Sequence, residues 1–105
     1  MKITGLAKNL GLETEEYLEI LEILVESGQA DIDFLEQAMK TGDTQGLMNA
    51  AHSLKGAAAN LGLTELSEIA RDIESNGREQ NLDGVNERIE TLKEQFALVV
   101  GLFQT

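Results

Sequence analysis

Apolar residues recur at alternating steps of three and four along most of this chain, and no proline interrupts them. This spacing matches the 3.6-residue repeat of the α-helix, so each segment that carries it presents one apolar stripe to a core. A composition dominated by Glu, Leu and Ala favours helices over strands. The sequence therefore predicts an all-α protein.

Four long segments carry the pattern, after a short apolar opening over residues 1–12 that we interpret as an N-terminal cap helix. Short polar side chains favour helix starts and glycines favour helix ends, which sets the expected boundaries. Four amphipathic helices joined by short loops predict an antiparallel up-down-up-down bundle over residues 14–105, within a single domain over 1–105. The predicted N-caps are Thr14, Asp43 or Thr44, and Thr64, and the predicted stops are Gly42, Gly62 and a break between Asn76 and Asn81. The predicted inward positions are Leu18, Leu21, Val25, Ile32, Leu35 and Met39; Leu47, Ala51, Leu54, Ala58 and Leu61; Leu66, Ile69, Ala70 and Ile73; and Val85, Ile89, Leu92, Phe96, Val99 and Phe103.

The net charge is −11, from 19 acidic and eight basic residues. A field of this sign repels nucleic acid and anionic membranes and favours basic partners. Six glutamates between Glu13 and Glu26 have no Lys or Arg among them, and we interpret this run as a solvated helix face. We expect a monomer that binds neither nucleic acid nor membranes.

The chain has no cysteine and one histidine, which leaves a metal or hydrolytic enzyme poorly supported and predicts no cofactor. The N-terminus lacks the apolar run of a signal peptide, and residues 98–103 are too few to span a bilayer. We expect a cytoplasmic protein.

The stretch His52-Ser53-Leu54-Lys55-Gly56 lies within the second predicted helix. At roughly 100° per residue, His52 points roughly 140° away from the mean direction of that helix's apolar stripe, so its imidazole should face solvent. Lys55 leans back toward the histidine from the next turn. Gly56 leaves the surface above the ring open, although glycine costs a helix about 1 kcal/mol relative to alanine. An accessible imidazole nitrogen beside a cation is suited to accept a phosphoryl group.

Each of these residues also has a simpler interpretation. A lone helical histidine and a nearby lysine are most often ordinary surface residues, and Gly56 could instead permit close helix packing. The three together, on one amphipathic helix, meet distinct needs of phosphoryl transfer, and that coherence favours the functional interpretation.

The motif His52-Ser53-Leu54-Lys55-Gly56, followed by Asn60-Leu61-Gly62, resembles the signature of the histidine-containing phosphotransfer (HPt) domains of bacterial phosphorelays. The resemblance implies a phosphocarrier without kinase activity, phosphorylated on an exposed nitrogen of His52. It also implies receiver domains or hybrid sensor histidine kinases as partners, with the Mg²⁺ site on the receiver.

An antiparallel return across Gly62 brings residues near 73 and 74 alongside His52. Glu74 is therefore a candidate to accept a hydrogen bond from the other ring nitrogen, a role similar to that of a Gln or Glu in related domains. Arg78, one turn further, is a candidate phosphate contact or an ordinary surface charge. We predict that Met48, Gly56 and Ala59 form the partner-docking surface.

A second function stays open from the sequence alone. The chain could be an acidic helical interaction module in which the histidine is incidental. A labile phosphoryl adduct at one residue would distinguish the two functions.

Overall fold

The computed structural model describes residues 3–102, which form helices joined by short loops. The helices are α1 (Ile3–Asn9), α2 (Thr14–Thr41), α3 (Thr44–Asn60), α4 (Thr64–Arg78) and α5 (Val85–Gly101). Helices α2 to α5 pack as a four-helix bundle in which each helix contacts the next and α5 returns to α2, while α1 packs against α2. The predicted all-α bundle with a short N-terminal helix is confirmed.

Two of the predicted helix starts are wrong by one residue. Glu13, and not Thr14, is the N-cap of α2, and its backbone N–H donates to the Glu16 side chain. Leu63, and not Thr64, is the N-cap of α4, where burial of the leucine side chain positions the start of the helix. Asp43 caps α3 as predicted, because its carboxylate accepts from the Gly46 N–H at 2.9 Å.

The predicted stops agree with the structure. Gly42 and Gly62 both have the left-handed backbone conformation, with φ of 71° and 73°. Such a residue lets the chain turn out of a helix while the last carbonyls keep hydrogen-bond donors. After Gly62, for example, the Leu63 N–H donates to the Ala58 carbonyl at 3.0 Å. Helix α4 ends at Arg78, inside the predicted break.

The core is centred about one residue away from the predicted stripe in α2. Leu18, Val25 and Met39 are only partly buried, as is Ile69 in α4. The reason is that α2 is flanked by both α3 and α5, which draws a different arc of the helix inward. Tyr17, Leu24 and Ala38 fill the core instead. The other predicted inward positions are buried, except Phe103, which lies outside the described residues.

Polar groups in the interior are few and satisfied among residues 3–102. The Tyr17 hydroxyl donates to the Leu61 carbonyl at 2.8 Å, which ties α2 to the end of α3. Glu74 and Asn76 are the buried polar residues of this part of the chain, and both lie on α4. Over the same residues, no helix is long and apolar enough to cross a membrane.

Candidate functional site

His52 stands on the solvent-facing side of α3, and its side chain is 67% exposed. The orientation follows from the helix itself, because Leu47, Ala51, Leu54 and Ala58 all turn into the core. The histidine falls on the opposite side, so the predicted exposure of the imidazole is confirmed.

Glu74 provides the buried side of the site. It lies on α4, which returns antiparallel to α3, and only 4% of the residue is exposed. One carboxylate oxygen lies 2.6 Å from His52 Nδ1, and the other accepts from Lys55 Nζ at 2.7 Å. The expected neighbourhood of Glu74 and His52 is therefore present in the structure, and Lys55 joins it.

The charge state of Glu74 determines what the histidine can do. The Lys55 hydrogen bond, followed by that of His52, holds the pKa of the Glu74 carboxyl below its ordinary value of 4.5, against an opposing effect of burial. An ionised carboxylate can only accept, so His52 Nδ1 carries a hydrogen and its N–H donates a hydrogen bond to Glu74. In the neutral form of the imidazole, the lone pair then lies on the other nitrogen, Nε2.

Arg78 also reaches this cluster. Its guanidinium lies 3.5 Å from the Glu74 carboxylate, one turn along α4, and its side chain is 61% exposed. Lys55 is more enclosed, at 29%. Two cations thus lie within contact distance of the carboxylate that also contacts the histidine.

The surface around His52 is open where the sequence predicts docking. A Cβ added at Gly56 would meet nothing within 4 Å, so this glycine does not serve close packing in the described structure. Ala59 is exposed as well, whereas Met48 is only partly exposed. Residues 3–102 contain no group of three or more His, Cys, Asp or Glu side chains placed to hold a metal ion.

A glycine that does permit close packing against α3 is Gly77, which lies inside the break predicted between Asn76 and Asn81. A Cβ at this position would lie 2.8 Å from the Met48 backbone nitrogen and from the Thr44 carbonyl oxygen. Its absence lets α4 approach the backbone of α3 just beyond Glu74.

A shallow groove between α2 and α3 was not predicted from the sequence. It borders the opposite side of α3 from Glu74, and half-exposed Phe34 forms part of its lining. Burial raises the pKa of the Asp31 carboxyl in this groove, and a hydrogen bond from Ser53 partly offsets the effect. The lining residues are Ala30, Asp31, Phe34, Gly46, Asn49, Ala50 and Ser53.

Comparison with known proteins agrees with this geometry. The family model described as Hpt domain matches residues 19–101. The chain belongs to the HPt domain family. Members of the family are phosphocarriers that interact with receiver domains and histidine kinases, and the chain accordingly has a histidine phosphotransfer role in phosphorelays. The alternative of an interaction module with an incidental histidine is not supported.

Individual relatives give the same result. The chain is 31% identical over 91 residues to the aerobic respiration control sensor protein ArcB of Escherichia coli K12 and to that of Shigella flexneri. The match covers 78% of this chain but only 12% of each ArcB protein. The crystal structure of histidine-containing phosphotransfer protein B (HptB) from Pseudomonas aeruginosa PAO1 superposes with a TM-score of 0.85 at 30% identity, covering 94% of this chain and 86% of HptB.

Proposed function

We propose that His52 is the phosphoacceptor of this HPt domain and carries a phosphoryl group between the aspartates of receiver domains. One observation carries the proposal: the Nδ1–H of His52 is held by a buried carboxylate at 2.6 Å while the ring is 67% exposed. A ring fixed in this way offers Nε2 to an incoming phosphoryl donor in a single orientation.

Phosphoryl transfer to His52 needs no reactant other than the phosphorylated receiver. The Nε2 lone pair attacks the phosphorus of a receiver's aspartyl phosphate, the N–P bond forms, and the P–O bond breaks as the aspartate carboxylate leaves. Nδ1 keeps its proton, and Glu74 stabilises the positive charge that develops on the ring. Onward transfer is the same step in reverse, with the carboxylate of a second receiver as nucleophile.

Lys55 and Arg78 are proposed to bind the phosphoryl oxygens. Both are cations beside the ring, and charge-assisted hydrogen bonds to phosphate are among the stronger polar contacts in proteins. Each contacts Glu74 before phosphorylation, at 2.7 and 3.5 Å, so the arriving phosphate competes with this carboxylate for them.

The partners are proposed to be receiver domains, including those of hybrid sensor kinases, which dock over Gly56 and Ala59 at the edge of Met48. The Mg²⁺ for the reaction is proposed to lie on the receiver, and the chain to have no kinase activity of its own. A net charge of −11 opposes self-association, which supports action as a monomer.

The test is labelling of the purified chain by a phosphorylated receiver. We expect one acid-labile, base-stable adduct, located at His52 by mass spectrometry, and no label from ATP alone. His52→Gln should abolish the adduct. Arg71→Gln, at an exposed position of α4, should label normally. Full labelling of the His52 variant would refute the assignment.

A further inference from the structure

The C-terminal end of α4 turns through a left-handed residue that is not glycine. The Asn81 N–H donates to the Asn76 carbonyl at 3.0 Å, and the Gln80 N–H donates to the Gly77 carbonyl at 3.2 Å. Glycine usually occupies the left-handed position of a helix end with these two hydrogen bonds. Gly42 does so after α2, but here Gln80 has φ of 57°, a conformation that is unfavourable for a residue with a side chain. The turn therefore needs support from other parts of the fold.

The Asn76 side chain provides that support. Only 8% of the residue is exposed, and both ends of its amide group are used. Its Nδ2 donates to the Asn81 carbonyl at 2.9 Å, and its Oδ1 accepts from Arg88 Nη1 at 2.7 Å. A hydrogen bond from a guanidinium is charge-assisted, and so stronger than one between neutral groups. Asn76 thus joins the end of α4 to the following loop and to α5.

Arg88 makes this contact although carboxylates lie nearby. Asp72, Asp83 and Glu87 line the same groove between α4 and α5 as Arg88 does. Within residues 3–102, none of them forms an ion pair with Arg88. Pairing of surface charges therefore does not explain the position of the guanidinium, whereas the contact with Asn76 does.

The supported turn includes Arg78, since residues 77–80 lie between Asn76 and Asn81. The Arg78 side chain is 61% exposed, and its ion pair within the described residues is the 3.5 Å contact with Glu74. A long side chain with so little packing depends on its backbone for its position. At roughly 100° per residue, Asn76 lies roughly 160° around α4 from Glu74, so α5 holds this turn from the side opposite the site.

We infer that Asn76 and Arg88 are positioning residues for phosphotransfer: they fix the last turn of α4, and with it the place from which Arg78 reaches the phosphoryl group. The inference rests on the proposed function, because it takes Arg78 as a phosphate contact. Arg88 itself acts only through α4, from outside the surface proposed to dock receivers.

The test is a double-mutant cycle on the rate at which phosphoramidate labels His52, since this donor needs no docked receiver. We expect Arg78→Gln to slow labelling about tenfold and Arg88→Gln about three- to fivefold. If Arg88 acts through Arg78, the double variant should be no slower than Arg78→Gln alone. Rates are measured below the unfolding transition of every variant, so a lower Tm alone does not change them.

Two control variants separate positioning from general effects. Lys93→Gln removes another cation of α5, whose ion pairs are with Glu36 and Glu90. Tyr17→Phe removes a hydrogen bond between two other helices, from the hydroxyl to the Leu61 carbonyl. We expect each to change the labelling rate less than about twofold.

The variant at the buried position should confirm the pathway. Asn76→Ala should slow labelling, and this effect too should vanish when Arg78 is already Gln. Arg88 is exposed, so Arg88→Gln keeps the test decisive if the Asn76 variant does not fold.

Slowing by Arg88→Gln that is no greater than that by Lys93→Gln would overturn the inference. Slowing that persists in full in the Arg78→Gln background would also overturn it, because the effect would then not pass through Arg78. So would an unchanged rate in Arg78→Gln, which leaves no contact to position but keeps His52 as the phosphoacceptor. If His52 of the unaltered chain takes no label from any donor, the proposed function fails and the inference with it.

Discussion

Glu74 links the site to the fold at the scale of single residues. A carboxylate this deeply buried is costly unless it is paired, and here Lys55, His52 and Arg78 all contact it. The same contacts orient the imidazole and hold two cations beside it. Stability and the proposed phosphotransfer chemistry therefore involve the same side chain.

The lowered pKa of Glu74 makes a pH-dependent contribution to stability. A carboxyl group whose pKa is depressed in the folded state stabilises the protein above its ordinary value of 4.5, and the contribution is lost as the pH falls through the folded pKa. Glu74→Gln removes the titrating group, so its free energy of unfolding should fall less between pH 6 and pH 3 than that of the unaltered chain. Urea unfolding at each pH measures this. Asp72→Asn, at an exposed position of the same helix, should keep the full pH dependence.

Gly56 is expected to matter for docking and not for folding. Gly56→Leu should leave the bundle intact and stabilise the helix by up to about 1 kcal/mol, since space above the residue is open. The leucine would stand in the path of a receiver, so transfer from a phosphorylated receiver should fall far more than labelling by phosphoramidate. Gly101→Leu, at another open position, should change neither rate. If both reactions keep their rates in the Gly56 variant, the receiver docks elsewhere on the surface.

At the scale of elements, the packing of α4 on α3 brings the site together. His52 and Lys55 come from one helix and Glu74 and Arg78 from the other, so their contacts depend on how closely the helices approach. Gly77 permits that approach because its α-carbon faces the α3 backbone with no side chain between them.

Substitution by alanine should change the free energy of unfolding in opposite directions at Gly77 and Gly56. Gly77→Ala places a methyl group 2.8 Å from two α3 backbone atoms, which must move apart, and we expect a loss of about 1–3 kcal/mol in the free energy of unfolding. Gly56→Ala should gain up to about 1 kcal/mol from helix propensity alone. Denaturant titration measures the free energy of unfolding of both variants. A stable Gly77→Ala variant with normal His52 labelling would show that the helices do not need this contact.

The whole molecule combines a well-filled apolar core with a surface of high negative charge. The buried residues form one cluster that includes residues from all five helices. Its stabilisation opposes the mutual repulsion of a surface with net charge −11. Charge therefore limits stability while it favours basic partners.

Salt should stabilise the folded chain. The Debye length is roughly 10 Å at about 0.1 M salt, so added NaCl screens the repulsion between charges farther apart than this. Tm should therefore rise between low salt and about 0.2 M. The rise should be smaller for Glu19→Gln/Glu26→Gln, which has less repulsion to screen. Calorimetry at matched pH measures how Tm changes with salt concentration in the unaltered chain and in the variant. A Tm that falls with salt would mean that ion pairs outweigh the repulsion.

The sequence alone predicted the helices and the outward direction of His52. Both are local properties: apolar spacing and glycine positions set where a helix runs, and the angle per residue sets which side chain faces out. Antiparallel register also placed Glu74 near the histidine.

Only the tertiary structure decided how those residues meet. That Glu74 is buried and joins His52 to Lys55 depends on the closeness of α3 and α4 at Gly77. The centring of the α2 core on Tyr17 and Leu24 depends on two neighbouring helices at once. Helical periodicity specifies directions around one axis, whereas distances between axes depend on the volumes packed between them, which residues far apart in the chain determine together.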